Sequence, residues 1–266
     1  MQVFKEIAAL QGWRRQLQVQ ASAAPTVGFV PTMGALHAGH LALLQTSVAA
    51  NDYTVLSIFV NATQFNDPKD LTHYPSSLTE DLQLARDAGV AAVLLPAHAD
   101  LYPDDYRYRV SESQFSQMLC GAHRPGHFDG VLSVVLKLLN IVAPSHAYFG
   151  LKDYQQYLLI KEMCQALFVP VAIVGCETVR EADGLALSSR NRRLTPEARR
   201  IAAQLNQILR QTVDEAEATD QLTAAGMEVD YVAAVDGRRL AAVNLAIGNA
   251  TIRLIDNVSL GATDAG

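Results

Sequence analysis

The sequence predicts an α/β fold, with a doubly wound parallel sheet followed by a smaller C-terminal α+β domain. Short apolar segments alternate with longer segments of helical spacing, and the apolar segments show little period-two alternation. Such strands are typical of parallel sheets that helices cover on both faces. The pattern changes near residue 181, and the 266 residues exceed the usual length of one domain.

Bulk composition predicts an ordinary folded protein of the cytoplasm. Half of the residues are hydrophobic and 18% are charged, which is enough apolar material for a core. The net charge of -6 argues against nucleic acid or an anionic membrane as a partner. No apolar run reaches the roughly 18 residues that a bilayer requires. Cys120, Cys164 and Cys176 are too far apart in sequence to suggest a disulfide framework or a zinc site.

The first domain is predicted to span residues 1–180. Its first strand, 26–30, leads through a turn into a helix with apolar residues at Leu41, Leu44 and Val48. A capping box from Ser77 to Glu80 then opens a second helix, which ends at Gly89. The remaining predicted elements are strands 53–60, 91–95, 147–149 and 169–175 and helices 130–142 and 153–167.

The second domain is predicted to span residues 181–266. A polar loop runs to Thr195, which is a good N-cap, and Pro196 suits the first position of a helix. We expect this helix to continue to about Glu217. Two strands, 229–235 and 251–255, complete a small α+β domain.

His37 and His40 lie between the first strand and the first helix. Positions three apart share a helix face, so both imidazoles are expected to face the crevice above the strand ends, where open α/β sheets bind ligands. A helix N-terminus favours phosphate there, and Gly34 and Gly39 would permit close approach of the backbone. A chance match, or half of a metal site, is the alternative, although no further metal ligands are evident in the sequence.

Two further segments add groups that bind phosphate. The segment Gly150-Leu151-Lys152-Asp153 follows strand 147–149 and brings a lysine to the same sheet edge. The segment Ser188-Ser189-Arg190-Asn191 offers hydroxyls, amides and a guanidinium. Each segment alone is more typical of a solvated surface. Together with the two histidines they predict a polyphosphate site.

Side-chain amides follow two of the predicted strands. Asn61 and Gln64 lie just beyond the second strand, and Gln155 and Gln156 lie one turn into a later helix. Amides donate and accept hydrogen bonds, which suits a substrate with hydroxyls and a carboxylate. In loops such residues more often form turns.

Taken together and in their order along the chain, these segments resemble the motifs of the pantothenate synthetase family. The resemblance covers roughly residues 25–200 and rests on segments 31–40, 59–65, 124–128, 148–156 and 183–191, with a looser likeness at 253–257. It implies a Rossmann-like nucleotidyltransferase fold with a HIGH motif, usually homodimeric. It also implies that Mg2+ and ATP are used to join pantoate to β-alanine through a pantoyl adenylate, with residues 1–180 binding nucleotide and pantoate and residues 181–266 forming a lid.

The resemblance assigns roles to individual residues. Its catalytic groups are His37, His40 as the proton donor, Lys152, Ser188, Ser189 and Arg190. Its ATP contacts are Pro31, Thr32, Met33, Gly34, His37, Gly39, His40, Gly150, Lys152, Asp153, Val179, Leu187, Ser188, Ser189 and Arg190. Pantoate is implied at Gln64 and Gln156 with Asn61 nearby, β-alanine at Gln64, and magnesium at Glu80 or Asp81.

Four positions depart from the family pattern. Ala62 replaces a proline, Leu151 a glutamate, and Ser76 and Asp129 each an arginine, so substrate affinity is affected more than the reaction. One rival interpretation is a nucleotidylyltransferase such as phosphopantetheine adenylyltransferase, which is typically shorter and lacks a second domain. Another is an inactive nucleotide-binding protein, in which the histidine pair or Lys152 would have been lost.

Overall fold

The computed structural model describes residues 1–20, 24–66, 71, 72, 74, 77–248 and 250–260. The chain forms two compact units. The first comprises Met1–Leu151 and Gln155–Cys176, and the second comprises Lys152–Tyr154 and the chain from Glu177 onward. The predicted fold class is confirmed, since a parallel sheet with helices precedes a small antiparallel sheet. The predicted division of labour, with substrates bound by 1–180 and a lid at 181–266, stays a prediction.

A six-stranded parallel sheet organises the first unit. Its strand order is β1-β4-β3-β2-β5-β6. The strands are β1 (Gln2–Phe4), β2 (Val27–Thr32), β3 (Tyr53–Ile58), β4 (Ala92–Leu94), β5 (His146–Gly150) and β6 (Ala172–Cys176). The chain proceeds from β2 toward one edge through β3 and β4, and later from β5 toward the other edge. The loops that leave β2 and β5 therefore flank the switch point, where open α/β sheets bind ligands.

Seven α-helices accompany this sheet in the described part of the chain. They are α1 (Ile7–Gln20), α2 (Ala38–Ala50), α3 (Leu78–Asp87), α4 (His98–Leu101), α5 (Cys120–His123), α6 (His127–Val142) and α7 (Tyr154–Ala166). α6 is apolar on most of its surface and is largely buried. Arg14 of α1 satisfies the carbonyl groups at the end of α6, because it donates to the oxygens of Val142 and Ala143, both at 2.9 Å.

The second unit packs three helices with a three-stranded antiparallel sheet. The elements are α8 (Pro196–Ala202), α9 (Gln204–Gln211), α10 (Glu215–Ala224), β7 (Glu228–Val235), β8 (Arg238–Ile247) and β9 (Ala250–Ser259). Its core contains Leu205, Leu209, Leu222, Val243 and Leu254, all buried. Thr195 caps α8 by accepting a hydrogen bond from Ala198 N–H, with Pro196 at the first position, as predicted.

Two sequence-based predictions about elements are wrong, and one strand of the second unit was missed. The helix from Pro196 does not continue to Glu217, because it ends at Ala202, a second helix ends at Gln211, and Asp214 caps a third. β8 was not predicted. Ser77 precedes α3 but does not form the predicted capping box. Among the described residues its hydroxyl donates to Asp81 Oδ1 at 3.1 Å.

None of the helices in the described ranges has the combination of length and apolar character that a bilayer span requires. Ser76, one of the four departures from the family pattern, lies outside the described residues.

Candidate active site

The loop between β2 and α2 is held in place by a buried carboxylate. Asp81 of α3 is 3% exposed, and its Oδ2 accepts from Ala35 N–H at 2.8 Å while its Oδ1 accepts from Leu36 N–H at 2.7 Å. Thr32 Oγ1 accepts from Gly34 N–H at 3.2 Å at the start of the same loop. These bonds fix the loop at the carboxyl end of β2 and so set the start of α2.

His37 and His40 form a capping box at the N-terminus of α2. His37 is the N-cap, and its Nδ1 accepts from Gly39 N–H at 3.1 Å. His40 Nδ1 accepts from His37 N–H at 3.3 Å, and the two ring centroids are 4.1 Å apart. The prediction that both rings share the opening turn of this helix is confirmed.

The capping bonds determine the protonation of both rings. A ring nitrogen that accepts a backbone N–H carries no proton, so each Nδ1 is unprotonated and each ring holds its proton on Nε2. The two histidines are thus neutral N–H donors in this arrangement. In this arrangement both rings are hydrogen-bond donors beside a helix N-terminus.

Both glycines of this loop are crowded by protein atoms. A Cβ at Gly39 would lie 2.9 Å from the His37 ring, so the ring packs directly over the backbone. At Gly34, where φ is +83°, a Cβ would lie 3.0 Å from both Asp81 Oδ2 and a methyl of Ile58. The close neighbour at each of these glycines is a side chain of the protein, and the predicted close approach of their backbone to a ligand stays a prediction. A Cβ at Gly150 would meet no described atom within 4 Å.

The predicted magnesium ligands differ in environment. Asp81 already accepts from two backbone N–H groups and from Ser77 Oγ, whereas Glu80 is exposed at the first turn of α3. In the described ranges no three His, Cys, Asp or Glu side chains gather as a metal site would require. Asp81 therefore fits an anchor for the loop better than it fits a metal ligand.

Asn61 and Gln64 are brought together just beyond β3. Asn61 precedes a short 3₁₀-helix, Ala62–Gln64, and is 1% exposed. Its Nδ2 donates to Gln64 Oε1 at 3.0 Å and to Gly130 O at 3.2 Å. Gln64 itself is half-buried. The two amides thus form one hydrogen-bonded unit.

Gln155 and Gln156 differ in burial and in hydrogen bonding. Gln155 is 4% exposed, its Oε1 accepts from Cys120 N–H at 3.1 Å, and its Nε2 donates to the oxygens of Phe115 and Met118 at 2.7 and 2.9 Å. All its hydrogen-bonding capacity holds the segment before α5. Gln156 is half-buried, which leaves it as the candidate for substrate.

In the second unit, Lys152 is placed by its own main chain. Lys152 O accepts from Asn257 Nδ2 at 3.1 Å, and Asn257 Oδ1 in turn accepts from Arg238 Nε at 2.6 Å. Lys152 Nζ is 3.9 Å from the exposed Asp153 carboxylate and is itself largely buried. One residue, Leu151, separates the lysine from the end of β5.

A second loop of this unit carries the remaining predicted phosphate contacts. Val179 O accepts from Leu187 N–H at 3.0 Å, so these two residues lie side by side in a short antiparallel pair. Ser188 caps a 3₁₀-helix, Ser189–Arg193, by accepting from Arg190 N–H at 3.3 Å. Arg190 extends into solvent.

Charged contacts hold the base of this loop, which is therefore not a simple solvated turn. Arg180 forms a two-pronged pair with the buried Asp256, at 2.7 and 2.9 Å, and also donates to Gly184 O. Arg199 pairs with Glu181 and Asp183, both at 2.7 Å. Hydrogen bonds from Arg199 hold the pKa of both carboxyl groups below their usual values, against a smaller effect of burial.

Three of the family departures are accommodated locally. Ala62 is the first residue of the 3₁₀-helix, which therefore forms without a proline at that position. Leu151 packs its side chain onto Gly175 of β6, where an added Cβ would be 2.5 Å away. Asp129 lies in the first turn of α6, where the helix dipole favours a negative charge.

Sequence reasoning missed Tyr102 and did not assign a role to His127. Tyr102 is buried and donates to Asn61 Oδ1 at 2.9 Å, and His127 Nδ1 lies 2.8 Å from Gln64 O. Tyr102 belongs to a polar stretch without periodicity, so no sequence pattern singled it out. His127 stands in the Arg124–Phe128 motif, which contributed only to the family resemblance.

Comparison with known proteins gives one consistent result. The family model for pantoate-beta-alanine ligase matches residues 2–259. Pantothenate synthetase of Bdellovibrio bacteriovorus is 51% identical over 259 residues, which cover 97% of this chain and 99% of that protein. Pantothenate synthetase of Legionella pneumophila is 48% identical over 260 residues, which cover 98% of this chain and 100% of that protein.

Solved structures agree. The crystal structure of pantoate-beta-alanine ligase from Francisella tularensis, complexed with beta-gamma ATP and beta-alanine, superimposes with a TM-score of 0.87 at 39% identity and covers 98% of both chains. Pantothenate synthetase from Thermus thermophilus superimposes with a TM-score of 0.85 at 38% identity, covering 98% of this chain and 99% of that one.

Proposed function

The chain belongs to the pantoate-beta-alanine ligase family, and we propose that the groups at the carboxyl ends of β2, β3 and β5 perform the family's reaction. That reaction condenses pantoate with β-alanine and consumes ATP. A pantoate carboxylate oxygen bonds to the α-phosphorus as pyrophosphate leaves. The amine of β-alanine then attacks the acyl carbon of the pantoyl adenylate, loses a proton and expels AMP.

The main physical obstacle is electrostatic. A carboxylate must approach a triphosphate although both are anions, so the site has to supply hydrogen-bond donors and positive charge where the negative charge accumulates. It must also hold the two reactants in line, because alignment alone removes much of the barrier. Phosphoryl-group chemistry of this kind requires little covalent work from the protein.

The single observation that carries the proposal is the histidine capping box at the start of α2. It places two Nε2–H donors and a helix N-terminus beside the end of β2, at the switch point of the sheet. Neutral donors suit this role because they stabilise phosphate oxygens without a change of protonation. We assign His40 as the group whose Nε2–H donates a hydrogen bond to the departing pyrophosphate oxygen, and His37 as a second donor to the phosphate oxygens.

We infer that the second unit contributes the fixed charges. Lys152 supplies a cation to the polyphosphate, and Arg190 supplies a second from its exposed position on the Ser188–Arg193 segment. Ser188 and Ser189 donate from their hydroxyls, while Gly150, Asp153, Val179 and Leu187 contact the nucleotide. The support is chemical, since Lys152, Arg190 and the two serines are the side-chain donors that these segments offer to a triphosphate.

We assign the acid and amine substrates to the amides of the first unit. Gln64 and Gln156 are half-buried and hydrogen-bond pantoate, with Asn61 behind Gln64, and β-alanine also reaches Gln64. An amide orients a hydroxy acid without adding a charge that would need its own partner.

Magnesium is assigned to accompany ATP, and Glu80 is the candidate for protein contact. Mg2+ commonly keeps several waters and uses one or two carboxylates together with the substrate phosphates. Glu80 is exposed, whereas Asp81 holds the loop before His37. When bound, the ion neutralises part of the phosphate charge.

Two properties of the whole protein complete the proposal. The chain is assigned to the cytoplasm, because all three cysteines are free and buried, which suits a reducing compartment. It is also proposed to be a homodimer, following the family pattern. Light scattering should then give twice the 28.8 kDa of one chain.

Product analysis tests the function. Purified protein is given ATP, Mg2+, pantoate and β-alanine, and each is then omitted in turn. Pantothenate, AMP and pyrophosphate should form together only in the complete mixture. A nucleotidylyltransferase would give a nucleotide-linked product and pyrophosphate without releasing AMP in response to β-alanine, and that outcome would refute the proposal.

A further inference from the structure

The hydrogen bonds around Asn61 determine which way the Gln64 amide faces. Gly130 O can only accept, so the Asn61 atom 3.2 Å from it must be the amide nitrogen. The second hydrogen of that nitrogen points to the Gln64 side chain at 3.0 Å, so Gln64 must present its oxygen there. The Gln64 nitrogen is consequently the end directed away from Asn61.

Two hydroxyls support Asn61 from its other side. Tyr102 Oη donates to Asn61 Oδ1 at 2.9 Å, and Thr63 Oγ1 donates to the same oxygen at 2.9 Å. Asn61 is 1% exposed and Tyr102 is 3% exposed, so neither side chain is accessible from solvent for direct contact with a substrate. The chain of hydrogen bonds therefore runs from Tyr102 through Asn61 to Gln64.

The main chain of Gln64 is held as firmly as its side chain. His127 Nδ1 lies 2.8 Å from Gln64 O and must donate to it, while Arg124 Nη2 donates to the same oxygen at 3.3 Å. At Gly130 of α6 a Cβ would lie 2.5 Å from Thr63 O, so α6 approaches the 3₁₀-helix closely. The main-chain oxygen and Oε1 of Gln64 are both hydrogen-bonded, so its Nε2 is the polar group that remains for a ligand.

We propose that Tyr102 and Asn61 are positioning residues that orient Gln64 so that it acts only as a hydrogen-bond donor toward pantoate. This rests on the proposed function, and it changes the role of Asn61 from a substrate contact to a support for Gln64. Among the described residues, none accepts a hydrogen bond from Gln64 Nε2. The group it meets must supply lone pairs, as a carboxylate or a hydroxyl oxygen does.

The surroundings of Tyr102 favour its role as a donor. Burial raises the pKa of Tyr102 above its usual value, so its hydroxyl keeps its proton over the range in which enzymes are assayed. The charged and titratable groups that face it are Lys137, whose Nζ lies 4.8 Å from the ring centroid, the Asp104 carboxylate, the Tyr106 ring and the His98 ring, whose centroid lies 5.0 Å away.

Steady-state kinetics of three variants test the chain of hydrogen bonds. Gln64→Glu removes the outward donor, and KM for pantoate should rise tenfold or more while KM for ATP stays within twofold. Asn61→Asp removes the donor that holds Gln64 Oε1, and KM for pantoate should rise about fivefold to tenfold. Tyr102→Phe removes one hydroxyl only, and the same KM should rise about threefold to fivefold.

A double-variant comparison separates positioning from general damage. If Asn61 and Tyr102 act through Gln64, then Asn61→Asp or Tyr102→Phe should change KM for pantoate less than twofold in a Gln64→Ala background. Tyr108→Phe is the matched control, because Tyr108 lies in the same segment and is 68% exposed. Its kinetics should equal those of the wild type.

Two results distinguish the failure of this inference from failure of the proposed function. A wild-type protein that makes no pantothenate would refute the function and, with it, the inference. An active wild type whose Tyr102→Phe variant keeps the wild-type KM for pantoate would overturn the inference alone, as would additive effects in the Gln64→Ala background. If Asn61→Asp does not fold, the Tyr102→Phe pair decides the question by itself.

Discussion

Asp81 shows how a single buried side chain can prepare the site. Its carboxylate accepts from two consecutive backbone N–H groups, Ala35 and Leu36, directly before the histidine cap. A third bond comes from Ser77 Oγ at 3.1 Å. A buried carboxylate with three donors is well satisfied, so the loop gains a fixed geometry at little electrostatic cost.

Replacing Asp81 with Asn should loosen this loop. An amide presents one acceptor and one donor, so the donor would oppose Ala35 N–H or Leu36 N–H. We expect a loss of about 1–3 kcal/mol in the free energy of unfolding, the usual cost of an unsatisfied buried group. KM for ATP should rise severalfold because the histidine cap follows this loop. Chemical denaturation and steady-state kinetics measure the two effects.

The control for this variant is Asp87→Asn on the same helix. Asp87 is exposed and accepts only from Gln83 Nε2 among the described residues, so both quantities should stay close to wild type. If Asp81→Asn behaved like Asp87→Asn, the anchoring role of Asp81 would be wrong.

At the residue scale, sequence alone predicted the groups whose chemistry is local. His37 and His40 could be placed together because they lie three positions apart at the start of a helix, and the structure confirms that they share one turn. Asp81 could not be assigned as a loop anchor, since its partners Ala35 and Leu36 lie more than forty positions away. Backbone acceptor roles of this kind leave no pattern in a sequence.

At the scale of an element, the segment from Arg180 to Asn191 is held by ion pairs and side-chain hydrogen bonds. Asn191 donates to Glu181 Oε1 at 2.8 Å and to Ala186 O at 3.0 Å, which closes the loop on itself. Arg180 ties its base to Asp256 of β9. The segment that carries Ser188 and Arg190 thus starts from a rigid base.

The pair of carboxylates bound to Arg199 should make stability depend on pH. The pKa values of Glu181 and Asp183 are lowered in the folded protein from ordinary values of 4.5 and 3.8, chiefly by hydrogen bonds from Arg199. A lowered pKa stabilises the folded state above the ordinary value and loses that stabilisation as pH falls through the folded one. The contribution should therefore be complete at pH 7 and fade below about pH 4.

Arg199→Gln measures this contribution. Because all three groups are partly exposed, we expect a loss of no more than about 1 kcal/mol at pH 7. Denaturation at pH 7 and at pH 3 should show the difference from wild type shrinking at the lower pH. Arg200→Gln, at an exposed position of the same helix, serves as the control. A difference that grew on acidification would contradict the assignment.

Elements were predictable where the chain is strongly patterned. β2, β3 and β5 are short apolar runs before turns, and the sequence placed each of them. β8 was missed because its run, which contains three alanines and Asn244, has no strong strand preference and becomes a strand by pairing on both sides. β1 is three residues long, which is too short for any pattern.

At the scale of the whole molecule, the proposed function assigns roles to residues of both units. The loops after β2 and β3 belong to the first unit, while Lys152 and Arg190 belong to the second. We therefore expect the Ser188–Arg193 segment to become ordered around bound ATP and so to keep water from the reactive adenylate.

Limited proteolysis with trypsin tests this ordering. Arg190, Arg192 and Arg193 are cleavage points within the segment, and saturating Mg-ATP with pantoate should slow cleavage there severalfold. Arg107 and Arg109 are exposed and lie outside any helix, so they serve as internal controls whose cleavage should not change. Equal protection at both places, or none at either, would count against a lid.

The order of the strands could not be read from the sequence in the same way as the strands themselves. Alternating strands and helices predicted a parallel sheet, and the switch point between β2 and β5 follows only from the observed order. Which segments contribute to one site was inferred from chemistry, because pairing partners in a parallel sheet are distant in the chain.

The most direct test of the central claim is the exchange of labelled pyrophosphate into ATP without β-alanine. If the histidine cap and Lys152 stabilise pantoyl adenylate formation, wild-type protein should show exchange that requires pantoate. His40→Ala and Lys152→Ala should then lose on the order of a hundredfold in rate, while His123→Ala, at an exposed histidine, should not. Wild-type exchange rates in the His40→Ala and Lys152→Ala variants would contradict the account.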